Sequence, residues 1–190
     1  MDTIRAFIAI KLPADVQEVL RAVSEELAPR LPDRAVTWVR PERMHLTLRF
    51  LGDTPVAQLE DLVVALDAVA AKEQPFTLQL GQLGAFPNQR RPRVIWVGLA
   101  GEVEAATTLQ QALDTALVPL GWQPDSKKFS PHLTLGRVKR KDDRINLPWG
   151  QAVVPTAFTV SEIHLMESQL RPQGPLYTVR HSSRLALPAG

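Results

Sequence analysis

The 190-residue sequence contains no cysteine, so it has no disulfide bond, no thiolate nucleophile and no cysteine-ligated zinc. The apolar run near its N-terminus, Phe7–Ile10, is too short for a signal peptide or a membrane-spanning helix. The sequence also lacks a Gly-x-Ser-x-Gly motif, a phosphate-binding loop and a dinucleotide-binding fingerprint. These absences leave a serine hydrolase, ATP binding and NAD binding without support, and they predict a cytoplasmic protein that does not associate with membranes.

The composition indicates an ordinary globular protein. Hydrophobic residues make up 45% of the chain and charged residues 22%, which is typical of neither a disordered nor a membrane protein. A chain of 190 residues can bury a substantial core, either as one domain or as two tightly joined lobes. The 16 prolines mostly separate periodic segments, where they indicate turns.

A tetrapeptide that occurs twice carries most of the functional information. The segment 45–48 reads His-Leu-Thr-Leu and is repeated 87 positions later at 132–135, although the chain has only four histidines. Successive side chains of a strand point to opposite faces, so each copy sends His and Thr to one face and two Leu to the other. We therefore predict two strands, each with a core face and a chemical face.

Hydrophobic periodicity predicts strands and helices along the whole chain. The predicted strands are 4–10, 37–39, 44–51, 76–80, 93–99, the second tetrapeptide, and segments near 157–166 and 176–181. The predicted helices begin at Pro13, after Pro55 with Asp53 or Thr54 as the N-cap, and at about residue 102. Loops are expected at 81–92, which is rich in Gly, Pro and Arg, and at the basic segment 139–144.

The segments 5–50 and 93–138 share one order of elements: an apolar strand, an amphipathic helix, a connection and the tetrapeptide. A repeat of this length that occurs only twice indicates duplication rather than a solenoid. Two halves related by an approximate twofold axis would bring both tetrapeptides together across a cleft. We therefore predict an α+β fold in which residues 1–190 form a single bilobal domain. Each lobe is expected to be a largely antiparallel β-sheet with helices on its outer face, and the two sheets are expected to face a central cleft.

Two histidines on facing strands suit the transfer of one proton in and another out near neutral pH. One imidazole can deprotonate water or a ribose hydroxyl while the other protonates the leaving oxygen, and the hydroxyls of Thr47 and Thr134 can donate to phosphate oxygens. This combination favours acid–base catalysis on a phosphodiester by His45 and His132. Metal binding is the main alternative, but neither tetrapeptide contains Asp, Glu or Cys and the neighbouring side chains are basic, so we predict no metal.

Basic residues flank both tetrapeptides, although the net charge is only +2 and the sequence pI about 9.2. Such clustering favours an anionic substrate, a phosphate or a short nucleic acid. The remaining histidines, His164 and His181, have no threonine partner, and we expect them to be surface or structural residues. The flanking basic residues are Arg40, Arg43 and Arg49 in the first half and Lys127, Lys128, Arg137, Lys139, Arg140 and Lys141 in the second.

The paired tetrapeptides resemble the signature of the two-histidine (2H) phosphoesterase superfamily. More closely, the segments 38–42, 44–52 and 129–137 resemble the RNA 2′,3′-cyclic phosphodiesterase family, which is also called 2′-5′ RNA ligase or LigT-like. The segment 5–10 and the residues between 167 and 177 are similar to the ends of that family, so the resemblance covers essentially the whole chain.

The resemblance implies hydrolysis of a terminal 2′,3′-cyclic phosphate on RNA to a 2′-phosphate, with no metal or nucleotide cofactor. It implies that His45 donates a proton to the leaving O3′ and that His132 accepts a proton from water. It also implies that Thr47 and Thr134 hold the phosphate.

Arg137 lies five positions after the second histidine, where the family has an arginine that contacts the phosphate. Simple alternation puts Arg137 on the leucine face of its strand, away from the histidine. A β-bulge at Gly136 would re-phase the strand and return the arginine to the histidine face.

Two other functions remain open from the sequence. The same site could join a 2′,3′-cyclic end to a 5′-hydroxyl through a 2′-5′ bond, because microscopic reversibility allows both directions. The chain could also be an RNA-end binding module without turnover, although binding alone would not require two titrating groups. In each case the expected partner is an RNA with a 2′,3′-cyclic phosphate end, and the expected oligomeric state is a monomer.

Overall fold

The computed structural model describes residues 2–139 and 145–186, which contain nine strands and three α-helices. The strands are β1 (Thr3–Lys11), β2 (Val36–Trp38), β3 (His45–Pro55), β4 (Phe76–Phe86), β5 (Val94–Gly101), β6 (His132–Val138), β7 (Ala157–Val160), β8 (Glu162–Gln169) and β9 (Leu176–Arg184). The helices are α1 (Ala14–Leu27), α2 (Leu59–Ala70) and α3 (Val103–Leu117). Within the described ranges, no helix combines the length and the apolar character needed to cross a membrane.

The strands form one antiparallel sheet whose two halves meet at the repeated tetrapeptides. The strand order is β7-β4-β5-β6-β3-β1-β8-β9, and β2 pairs with β6 beside this path. β3 and β6 are joined through the pair Leu46 and Leu133, so each half contributes one tetrapeptide strand to the centre. The α+β class with a largely antiparallel sheet is confirmed, and the two expected sheets are joined edge to edge at this central pair.

The two faces of the sheet bury different residues. Leu46, Leu48, Leu133 and Leu135 are buried in the main core together with the apolar faces of all three helices. The helices therefore cover the leucine face, as the period-two pattern predicts. The opposite face carries the histidines and a small apolar cluster of Phe7, Ala9 and Met166, against which Tyr177 packs. The three described helices all lie on the leucine side of the sheet, and we call the opposite face, with the histidines, the open face.

The pairing of strands repeats between the two halves with the same spacing of 87 positions as the tetrapeptides. In both halves the register shifts at the fourth tetrapeptide residue, Leu48 or Leu135, which has no direct partner. This shared irregularity supports duplication of the segments near 5–50 and 93–138, which stays a prediction. The equivalent cross-strand pairs are Ala9–Thr47 and Trp96–Thr134, Ile8–Arg49 and Ile95–Gly136, and Phe7–Phe50 and Val94–Arg137.

Three local predictions were wrong. The expected helix cap at Asp53 or Thr54 belongs instead to β3, which continues to Pro55 because it pairs with β1 as far as Thr3. The segment near 157–166, expected to be one strand, forms two strands, β7 and β8, which lie in opposite halves of the sheet.

The third error lies in the loop expected at 81–92, whose first half is the continuation of β4 to Phe86. Its glycines do not mark a turn. A Cβ at Gly84 would collide with the ring of Trp96 on the neighbouring strand, so this glycine makes room for cross-strand packing.

The two faces predict opposite responses to substitution. Leu133 is fully buried, so Leu133→Ala should lower the free energy of unfolding by about 2–5 kcal/mol. His132→Ala, one position away on the open face, should change it far less. Urea denaturation of both variants measures the difference, and equal destabilisation would contradict the assignment of the faces.

Candidate active site

The structure brings four of the five predicted site residues together at the centre of the sheet. Leu46 pairs with Leu133 in antiparallel register, so His45 lies next to Thr134 across the pair and Thr47 lies next to His132. All four side chains are half-buried, whereas the leucines between them are buried. Each histidine is therefore flanked by the threonine of the other tetrapeptide.

Arg137 lies on the histidine face, so the simple alternation that puts it on the leucine face is wrong. The strand is re-phased at Leu135, because Thr134 pairs with Trp96 while Gly136 pairs with Ile95. Gly136 and Val138 are consequently buried, and Arg137 between them is exposed. The irregularity lies one residue before the position expected for it.

Both imidazoles are oriented by the same backbone contact. Nδ1 of His45 lies 2.8 Å from the carbonyl oxygen of Arg43, and Nδ1 of His132 lies 2.7 Å from that of Ser130. A carbonyl oxygen only accepts, so Nδ1 must carry the proton and donate it. In each ring Nε2 is then the atom that gains or loses a proton, and the neutral imidazole carries its proton on Nδ1.

Aromatic rings surround each histidine. The His45 ring lies 4.9 Å from the Phe7 ring and 5.2 Å, edge-on, from the Tyr177 ring, measured between centroids. The His132 ring lies 4.8 Å, edge-on, from the Phe86 ring and 6.2 Å from the Trp96 ring. These contacts fix the planes of the imidazoles and exclude water from their sides.

The same surroundings disfavour the charged imidazolium. Burial lowers the pKa of His45, partly opposed by its hydrogen bond to the Arg43 carbonyl. Burial also lowers the pKa of His132, and the positive charge of Arg137 lowers it further. Both imidazoles are therefore largely neutral at pH 7 before an anion binds.

The basic residues predicted around the site divide into exposed and buried side chains. Arg40, Lys127, Lys128 and Lys139 are exposed, as expected of residues that could meet an anionic substrate. Arg49 is different, because it is buried against α3 with Nη1 at 3.2 Å from Asp114. It ties β3 to the helix layer and does not reach the open face. The predicted basic residues Arg140 and Lys141 lie outside the described residues.

The described part of the chain holds no group of three or more His, Asp or Glu side chains that could bind a metal ion. His164 is buried in β8, with Nδ1 at 2.9 Å from the hydroxyl of Ser182. His181 contacts Asp67 of α2 at 2.8 Å. These contacts agree with the structural roles expected for both histidines.

Two residues beside the histidines were not predicted as site residues from the sequence. Phe50 lies five positions after His45, as Arg137 does after His132, and its side chain is 64% exposed beside Phe7. Comparing the same offset in both halves would have identified it. Tyr177, the one tyrosine of the chain, is brought to His45 from β9, and only the segment resemblance pointed to it.

Comparison with known proteins gives consistent relatives. The family model described as LigT like Phosphoesterase matches residues 10–96 and again residues 97–177. An RNA 2′,3′-cyclic phosphodiesterase of Methanothermobacter thermautotrophicus is 34% identical over 186 residues, covering 96% of this chain and 99% of the relative. A protein of the same name from Thermus thermophilus is 34% identical over 184 residues, covering 92% and 87%.

Solved structures share the fold. The crystal structure of the Thermus thermophilus protein TT0787 has a TM-score of 0.82 and 30% identity, covering 97% of this chain and 100% of that one. Escherichia coli LigT in its apo form has a TM-score of 0.81 and 24% identity, covering 98% and 99%.

The site geometry predicts how the imidazoles titrate. Without ligand, His45 and His132 should both titrate below about pH 6.5, the ordinary histidine value, and their neutral forms should carry the proton on Nδ1. Long-range proton–nitrogen NMR spectra, assigned with the His→Ala variants, measure both properties.

The lowered pKa values of both histidines also make the stability of the fold depend on pH. Each histidine has a lower pKa in the folded state than in the unfolded state. Below about pH 6.5 the unfolded state therefore binds more protons, and the free energy of unfolding decreases as the pH falls. A pKa of 7 or more for either ring in the free protein, or a neutral form protonated on Nε2, would contradict the described geometry.

Proposed function

Because the chain belongs to the LigT-like phosphoesterase family, we propose that it hydrolyses the 2′,3′-cyclic phosphate at the end of an RNA to a 2′-phosphate. The observation that carries the proposal is the register between Leu46 and Leu133, which sets two histidines and two threonines around one point of the open face. A phosphate centred there meets a titrating nitrogen from each half of the sheet. Its non-bridging oxygens meet hydroxyl donors from both strands.

In the proposed reaction two protons move and one phosphorus–oxygen bond is exchanged. Nε2 of His132 accepts a proton from water while the water oxygen bonds to phosphorus. The bond between phosphorus and O3′ breaks, and Nε2 of His45 donates its proton to O3′. The products are a 3′-hydroxyl and a 2′-phosphate, and exchange with solvent restores the two imidazoles.

The assignment of the base is supported by an asymmetry between the two halves. Arg137 lowers the pKa of His132 through its positive charge, whereas no such cation is among the causes that shift His45. This charge opposes protonation of His132, whereas burial is the cause that lowers the pKa of His45. An incoming phosphate anion offsets the cost of protonating His45, because an opposite charge nearby favours the imidazolium.

Thr47, Thr134 and Arg137 are the proposed phosphate ligands. The threonine hydroxyls can each donate one hydrogen bond, and the guanidinium can donate two in parallel to a pair of phosphate oxygens. Donors fixed on strands need little rearrangement as negative charge builds up on the phosphate, which is the usual source of a large rate effect. No step requires a metal ion.

Phe50 is proposed to bind the base of the terminal nucleotide. Its ring is exposed beside Phe7 on the same face as His45, and no described side chain covers it. An exposed aromatic ring in a site for single-stranded RNA offers a stacking surface that tolerates every base. The two halves then have the same strand pairing but differ at one equivalent position. In the proposed complex Arg137 contacts the phosphate and Phe50 contacts the base.

The proposal is tested with a short RNA that ends in a 2′,3′-cyclic phosphate. We expect metal-free turnover in excess chelator and a product with a 2′-phosphate, identified by phosphorus NMR. Adding a 5′-hydroxyl RNA tests for 2′-5′ joining, and formation of a linked product faster than hydrolysis would favour the ligase. Binding without any product would favour the binding module.

Variants of the two histidines serve as the matched control for that assay. His45→Ala and His132→Ala should each lower the rate by roughly 10²–10⁴-fold while leaving the fold intact. The fold-decrease in rate of the double variant should be far smaller than the product of the two single decreases, because both groups act in one transition state. Near-native turnover by either folded variant would overturn the two-histidine mechanism.

The proposed stacking surface makes a separate prediction. Phe50→Ala should lower kcat/KM by about tenfold, since a base stacked on an aromatic ring is worth roughly 1–3 kcal/mol. The loss should disappear for a substrate whose terminal nucleotide has no base. Val64→Ala, an equally exposed apolar residue on α2, is the control and should change nothing. An equal loss with the abasic substrate would assign Phe50 to packing instead.

A further inference from the structure

We propose that the open face carries a second phosphate subsite, formed by Arg5, Arg43 and the hydroxyl of Tyr177, for the phosphodiester on the 5′ side of the terminal nucleotide. This inference rests on the proposed function, because the first phosphate must lie between the two histidines. It makes the preferred substrate a nucleotide that carries a second phosphate group, as every RNA end longer than one nucleotide does.

Strand register brings Arg5 and Tyr177 to the same part of the open face. Ala6 of β1 pairs with Glu167 of β8, and Glu167 pairs with Thr178 of β9. One position farther along the same three strands lie Arg5, Ser168 and Tyr177. Arg5 shares its strand face with Phe7, two positions on, so its side chain stands on the open face beside the aromatic cluster.

Tyr177 connects this region with the catalytic centre. Its ring meets the His45 ring edge-on at 5.2 Å and the Phe7 ring at 5.2 Å, measured between centroids. Burial raises the pKa of Tyr177, while the positive charges of Arg137, Arg43 and Arg5 act in the opposite direction. Three guanidinium groups therefore act on a single phenol, and one of them is the proposed ligand of the catalytic phosphate.

Arg43 is held in place by the turn before β9. Its Nη1 donates to the carbonyl oxygen of Gln173 at 3.3 Å, and a Cβ at Gly174 would collide with the same guanidinium nitrogen. Gly174 also has a φ of +99°, which disfavours any larger residue there. The turn thus receives the Arg43 side chain closely and directs it over the Tyr177 side of the site.

The three arginines have no acidic partner among residues 2–139 and 145–186. Within 4.0 Å of the Arg5, Arg43 or Arg137 side chain the described residues offer no carboxylate, whereas Arg49 on β3 and Arg180 on β9 are paired with acids. Unneutralised cations around one point of a surface favour a polyanion. Arg137 accounts for one phosphate, so Arg5 and Arg43 remain for another.

An RNA chain supplies that phosphate at the required place. In the proposed arrangement the terminal base stacks on Phe50, the cyclic phosphate lies beside His45, and the 5′ side of the same ribose passes over the cluster of Phe7 and Tyr177. Sites for single-stranded nucleic acid commonly combine aromatic stacking surfaces with a positive groove that follows the backbone. Arg5 and Arg43 provide that groove one nucleotide away from the reaction.

The experiment compares three substrates that share the cyclic end. They are a mononucleotide 2′,3′-cyclic phosphate, a dinucleotide with a natural linkage, and the same dinucleotide with a neutral methylphosphonate linkage. We expect kcat/KM to be about tenfold higher for the natural dinucleotide than for the methylphosphonate, because a charge-assisted contact is lost. The mononucleotide should resemble the methylphosphonate substrate. A fourth substrate, the mononucleotide with an added 5′-phosphate, should recover part of the advantage because the subsite recognises the phosphate group.

The variants are Arg5→Gln, Arg43→Gln and Tyr177→Phe, and Arg21→Gln on α1 is the control with the same change in charge on the opposite face. Arg5→Gln should remove most of the preference for the natural linkage and leave the mononucleotide rate unchanged. Arg43→Gln and Tyr177→Phe should each reduce the same preference. Equal rates for both linkages in the unmodified protein would overturn the subsite, as would variants that slow all substrates equally.

Failure of the subsite is distinguishable from failure of the proposed function. If all three substrates are hydrolysed with equal kcat/KM, the subsite is refuted and the proposed function stands. If none is hydrolysed, the proposed function fails. The affinities of the natural and methylphosphonate dinucleotide 2′-phosphates, measured by calorimetry, then decide the subsite on their own: tighter binding of the natural linkage supports it and equal binding refutes it.

Discussion

The antiparallel pairing of Leu46 with Leu133 joins the two halves of the sheet and determines where both histidines lie. Because side chains alternate along a strand, this pairing buries the leucines under the helices and leaves His and Thr on the open face. A slip of one residue in either strand would exchange the faces of that strand and bury its imidazole and its threonine in the apolar core without partners. The free energy of core packing therefore holds the polar site in place.

A shared backbone frame allows the two halves to carry different chemistry. In each half the strand is re-phased at the last tetrapeptide residue, so the side chain two positions later returns to the open face. That position is Phe50 in one half and Arg137 in the other. The ring offers an apolar surface, whereas the guanidinium offers donors and charge. A substrate with a base at one end and a phosphate at the other matches this difference.

The sequence was sufficient for the parts of the fold that depend on periodicity. The two tetrapeptides predicted their strands, their buried leucines and their meeting at the centre, and the amphipathic helices were recognised from their apolar faces. Features that depend on partners distant in sequence were not predictable. Alternation alone could not place Arg137, because the bulge at Leu135 is visible only through pairing with β5. The sequence predicts a loop at Gly84, because the contact that requires this glycine, the ring of Trp96, lies on another strand. Nor could the sequence show that backbone carbonyls fix the tautomers of His45 and His132.

The aromatic surroundings of the histidines have a consequence for the order of events in catalysis. Both imidazoles are desolvated and their pKa values are lowered, so the free site holds little positive charge on its two imidazole rings. The proposed reaction nevertheless needs an acid, and the phosphate anion is the group that can induce it. Its negative charge favours protonation of an adjacent imidazole, and the positive charge of Arg137 opposes that protonation at His132. Binding of the substrate would therefore select the state with one acid and one base. The charge for which the threonines and arginines are the proposed ligands would then also supply the difference in protonation that the proposed reaction requires.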